Sequence, residues 1–187
     1  FGLLLHILLW GVGLAWLVTP RRWQKFWPVW VAPCGIALQS AVVWLGAHTT
    51  LAGTDVYARW TEVLPATLLI IAWCRTDTRQ LVRDLRRFSG LGALMAICLL
   101  VLTVPLARAA HDLTTVSIGS CDAADYAAGA RVFQEFASND RSGFLGLTEV
   151  VRVASTDNFY DFWLRLNHFT PSALIAFNDS VLGLVPH

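Results

Sequence analysis

Apolar residues in this chain fall in long runs separated by short charged links, not at the alternating spacing of strands. Leu3 to Val18 is the first run, with only His6 as a polar interruption. Arg21, Arg22 and Lys25 follow, interleaved with Trp23, Phe26 and Trp27, an arrangement that reads as an interfacial aromatic belt on a basic turn. The second run, Pro28 to Ala47, contains Pro33 and Gln39, both tolerable inside a helix bundle. A polar link from His48 to Tyr57 carries Gly53 and Asp55. The third run, Val63 to Cys74, is short against the roughly 20 residues a straight span needs, so Trp60 and Glu62 are expected at its outer edge. In Arg75 to Phe88, Leu81 and Leu85 share one helical face among arginines, which predicts a short amphipathic helix on the membrane surface. Ser89 to Leu106 is the fourth run, closed by Arg108, and a fifth begins near Pro171.

These elements predict an all-α protein: a polytopic transmembrane helical bundle with a long extracytoplasmic loop containing surface helices. Residues 1–108 hold four spans with basic cytoplasmic turns, 109–169 the loop, and 170–187 the start of a fifth span. Phe1 and His187 both lie in or beside apolar runs, so a fragment of a longer protein is expected. No basic n-region precedes the first run, which argues against a signal peptide.

Composition supports lipid as the solvent. Hydrophobic residues make up 56% and charged residues 14%, against roughly a quarter charged in soluble domains. The net charge of +1 gives no reason to expect nucleic acid as a partner. The distribution of charge is more informative. The links after the first and third runs hold eight Lys and Arg, while the link after the second holds only Arg59. Short basic loops stay cytoplasmic, which sends the chain's amino end and residues 109–169 to the opposite, periplasmic side of a bacterial-type plasma (inner) membrane. Cys34, Cys74, Cys98 and Cys121 form no CxxC pair and suggest no zinc site.

The loop has helical stripes: Tyr126, Ala130, Phe133, Phe136; then Phe144, Leu147, Val150, Val151; then Phe159, Phe162, Trp163, Leu166. Such helices are expected on the bilayer surface or against the span ends. The string Ser120 to Phe136, SCDAADYAAGARVFQEF, begins shortly beyond the fourth run. Its Asp122 and Asp125 could hold a divalent cation through oxygen, accept a proton as general base, or stabilise a cationic transition state. The simpler role is to start a helix, with Asp122 as cap and Asp125 in the first turn. A second string, LRLNHFTPSALIAFNDSVLGL, sets Arg165, Asn167 and His168 just before Pro171. Arg165 and His168 could bind an anionic phosphate or serve as interfacial anchors. Asn178 and Asp179 are costly against lipid and are expected to face protein or water.

A basic turn, a span, an Asp-x-x-x-Tyr string opening a large outer loop, and a Pro-containing start to the next span together resemble the GT-C glycosyltransferase superfamily. The likeness is greatest to its aminoarabinose-transferase and protein O-mannosyltransferase-like branch, and covers about residues 88–187. By that resemblance Asp122 matches the family's catalytic or metal-binding acidic residue, with Asp125 as its displaced companion, and Tyr126 matches the tyrosine. Thr170, Pro171 and Ser172 stand where a Lys-Pro-Pro string is usual, and Gly183 where a Phe-Gly often closes the segment. The resemblance implies sugar transfer from a polyprenyl-phosphate donor to a lipid, glycan or protein acceptor on the outer face of the membrane. Asp122 would be base or metal ligand for Mg or Mn, and Arg165 and His168 would contact phosphate. The alternatives are a transporter or flippase-like protein, with Gln39, Asn178 and Asp179 lining a path, and a non-catalytic membrane anchor.

Overall fold

The computed structural model describes residues 2–49, 52–75, 78–109, 121–136, 164 and 169–183. Among them all regular structure is helical: α1 (Gly2–Val18), a 3₁₀ helix (Arg21–Trp30), α2 (Val31–His48), α3 (Thr54–Thr61), α4 (Val63–Cys74), α5 (Thr78–Ala109), α6 (Cys121–Glu135) and α7 (Phe169–Leu182). The all-α expectation holds for these residues.

The helix ends follow from local chemistry. Pro20 follows the end of α1, where the Thr19 hydroxyl donates to the Ala15 carbonyl at 2.6 Å and the Gln24 amide donates to the Trp16 carbonyl at 3.0 Å. Both carbonyls lie in the last turn of α1, where partners along the helix run out. At the end of α2 the Thr49 hydroxyl donates to Leu45 O at 2.9 Å and His48 Nδ1 to Trp44 O at 2.7 Å. α7 ends at Gly183, whose φ of 71° needs a residue without a Cβ.

α1 packs against α2 and α4, and α7 against α2, α3 and α6. Small residues allow the closest approaches. A side chain on Gly11 would collide with the backbone of Val31, and one on Gly35 with the carbonyl of Ile7. Close approach through glycine is how helices associate where lipid offers no hydrophobic contrast. One core cluster joins Trp10, Val43, Ala58, Phe133, Ala176 and Phe177; a second, toward the 3₁₀ helix, joins Ala15, Trp16, Trp27, Val31 and Ala72.

The two ends of α2 differ in charge. The 3₁₀ helix precedes it and meets α5 through an edge contact of Phe26 with Phe88, which brings Arg21, Arg22 and Lys25 to the same end as the arginine-rich start of α5. α3 lies about 27 Å away, beyond the other end of this 18-residue helix. There Tyr57 covers Gly46, and Gly53 abuts the backbone of Gln134 in α6.

Two elements differ from expectation. The amphipathic segment and the fourth apolar run are one continuous 32-residue helix, α5, with no break between them. Nothing between Phe88 and Leu91 stops a helix: Ser89 bonds back to the Arg86 carbonyl at 2.7 Å, and a lone Gly90 weakens a helix without ending it. Second, among the described residues one helical stretch is long and apolar enough to cross a membrane, Arg21–His48 at 28 residues. Of its apolar window 28% is buried, less than in a mostly buried core helix. α1 is apolar but has 17 residues, and the 12 of α4 reach about 18 Å.

Candidate functional site

α6 starts at Cys121. Asp125 is its fifth residue, just past the first turn, whose free N–H groups favour negative charge, and Asp122 is its second residue rather than its cap. Tyr126 follows one turn later and is half-buried. The stripe expected from Tyr126 to Phe136 is the packed face of this helix: Ala130 and Phe133 are buried, Tyr126 and Phe136 half-buried. Its main partner is α7, with Phe133 edge-on to Phe169 at 5.4 Å. α7 carries Pro171 in its first turn, a position that needs no intrahelical N–H. Arg165, His168 and the other two loop stripes lie outside the described residues.

A second constellation is assembled inside the bundle from four helices. His6 of α1 stands 2.6 Å from Asn178 Oδ1 of α7 through Nδ1, and 2.8 Å from Glu62 Oε1 at the α3–α4 junction through Nε2. Trp10 donates its indole N–H toward both Glu62 oxygens, at 3.1 and 3.2 Å. Asn178 donates to Gln39 Oε1 of α2 at 3.0 Å and to the Leu174 carbonyl at 2.7 Å. Phe177 stacks on the His6 ring at 6.0 Å and meets Trp10 edge-on at 4.9 Å. Gln39 and Asn178 are fully buried, and the bond between them matches the expectation that Asn178 turns away from lipid.

Beside this network a shorter chain ties α7 to α3. Ser180 donates to Asp55 Oδ1 at 2.6 Å, which leaves its oxygen to accept from Thr54 at 2.8 Å.

In the sequence His6 reads as an interruption of an apolar run and Glu62 as a residue at the edge of one. The available signal was that His6 is a lone ionisable residue in an apolar run, which is expensive unless partnered. Among the described residues no three His, Cys, Asp or Glu side chains converge as a metal site would require. No family model matches the chain, and neither characterised proteins nor solved structures gave a match.

Proposed function

We propose that this protein is a multi-pass membrane glycosyltransferase of GT-C type, transferring a sugar from a polyprenyl-phosphate donor to a lipid, glycan or protein acceptor outside a bacterial-type plasma membrane. One observation carries the reading: the Asp122-x-x-x-Tyr126 motif opens a helix packed against α7, the helix that carries Pro171 in its first turn. The order of motif, loop and proline is the one the family resemblance rests on.

Three features support the membrane part of the reading. Trp60 is 81% exposed and large apolar side chains such as Trp44, Ile70 and Val101 face outward, as lipid-facing residues do. The basic segments share one end of the bundle. α6 adjoins α3 at the other. In this reading the arginine-rich turns are cytoplasmic and α6 is on the outer side.

The chemistry asked of Asp122 is proton acceptance. As the acceptor hydroxyl oxygen attacks the anomeric carbon, the bond from that carbon to the donor phosphate breaks and the polyprenyl phosphate leaves with its electron pair. The hydroxyl proton passes to the Asp122 carboxylate, and attack opposite the leaving group inverts the anomeric centre. Asp125 is the companion carboxylate; Tyr126, Arg165 and His168 are the substrate-side candidates, the last two for phosphate. No step is routed through a divalent cation.

The test is transfer from a lipid-linked sugar by the full-length protein in proteoliposomes. Asp122→Asn should lower turnover by roughly 100-fold or more, the scale of a lost general base. Wild-type turnover in that variant would remove the assignment.

A further inference from the structure

Four tryptophans on the outside of the bundle, Trp30, Trp44, Trp60 and Trp73, are each at least half exposed. Trp30 precedes α2 at its basic end, and Trp44 lies in the last turns of the same helix. Trp60 belongs to α3 and Trp73 to α4, and the chain passes from one to the other through Glu62 with helical backbone angles. The core clusters fix their levels. Ala72, beside Trp73, packs in one cluster with Trp27 and Val31, on either side of Trp30 in the chain. Val43, beside Trp44, packs in the other with Ala58, two residues from Trp60. Trp30 and Trp73 mark one level of the bundle, and Trp44 and Trp60 mark another.

Helix rise sets the distance between the levels. The fourteen steps from Trp30 to Trp44 span about 21 Å, and the thirteen from Trp60 to Trp73 at most about 20 Å, since any bend at Glu62 shortens them. Charge sets the same limit. Lys25 and His48 are exposed outside the first pair, and Arg59 and Arg75 just outside the second. Between the paired tryptophans the exposed side chains carry no charge; they include Ile36, Val63, Leu69 and Ile70. The one exposed hydroxyl there, on Thr67, donates to the Val63 carbonyl of its own helix at 2.7 Å. Glu62 is half-buried and accepts from the Trp10 indole.

Tryptophan favours the boundary between lipid chains and water. The hydrocarbon core of an ordinary bilayer is about 30 Å thick, so the two bands stand about 9 Å too close for it. We infer that the outward face of α2, α3 and α4 fits a bilayer with a hydrocarbon core near 20 Å, and that it therefore selects short-chain lipids. In a thicker bilayer, either the lipid is compressed or the flanking charges enter hydrocarbon, and the cost grows with each ångström of mismatch. Tilting offers these helices no escape, because it shortens their reach further. The longer apolar run of α5, Ser89 to Leu106, spans about 27 Å and fits the thin slab by tilting. Its main contact with the bundle is the 3₁₀ helix at one end, which leaves it room to do so. The inference rests on the membrane part of the reading above and not on sugar transfer.

The test uses the full chain in phosphatidylcholine vesicles whose acyl chains are myristoleoyl, oleoyl or erucoyl, in order of increasing length. Resistance to alkaline carbonate establishes insertion. The Tm should be highest in myristoleoyl lipid and lower by on the order of 5 °C in oleoyl lipid. In mixed vesicles, brominated oleoyl lipid should quench tryptophan emission less when diluted with myristoleoyl lipid than with the same fraction of unbrominated oleoyl lipid, because the shorter chains displace it from the exposed rings. A Tm that does not fall from myristoleoyl to oleoyl lipid, or equal quenching in the two mixtures, overturns the inference and leaves the membrane reading standing. A chain that carbonate strips from every vesicle removes both.

Discussion

Replacing Asn178 with Leu tests whether the polar network holds the bundle together. The side chain is fully buried and makes two interhelical bonds, accepting from His6 Nδ1 and donating to Gln39 Oε1. Leucine has the same number of side-chain heavy atoms in the same branched outline, so no cavity is left. The loss is therefore polar: an N–H on His6 and an oxygen on Gln39 are left without partners. At about 1–3 kcal/mol for each stranded buried group, the sum is about 2–6 kcal/mol. Interhelical bonds inside membranes measure lower, about 0.6 and up to about 1.7 kcal/mol each. Two such bonds give about 1–3 kcal/mol, and the ranges overlap at about 2–3. The assay is equilibrium unfolding in mixed micelles, run as a cycle with Gln39→Leu and the double variant. Because the two amides share a bond, the double variant should be more stable than the sum of the single losses implies, by about 0.5–1.5 kcal/mol. Strict additivity, or an Asn178→Leu protein as stable as the wild type, would refute the claim that this network stabilises the bundle.

Gly35→Val should prevent normal packing of α1 on α2, since the added Cβ meets the Ile7 carbonyl rather than a movable side chain; loss of monodisperse protein on size exclusion is the expected result. Phe133→Ala should loosen α6 from α7 at a cost of about 3–5 kcal/mol, visible as earlier proteolysis within residues 121–136 while α1 and α2 stay protected. Thr54→Val keeps the shape but removes the donor to Ser180, and should cost about 1 kcal/mol in the same unfolding assay.

How much of this was legible depends on the range of the interaction involved. The runs Leu3–Val18 and Val63–Cys74 announced α1 and α4 because backbone groups among apolar side chains must bond within their own segment. The stripe Tyr126–Phe136 marked a helix face correctly, since periodicity is local, but its partner α7 lies beyond the loop and could not be read from the stripe. Continuity of α5 was missed because the change from amphipathic to wholly apolar pattern looks like a boundary, although no residue there breaks the backbone.

The sequence by itself determined the helical class, the apolar character and the crowding of arginine into two links, because each is a property of neighbours along the chain. Only the tertiary structure decided that His6, Glu62 and Asn178 are one site. His6 lies 56 positions from Glu62 and 172 from Asn178, and a hydrogen bond between such residues exists only once four helices have packed to within a side chain's length of one another.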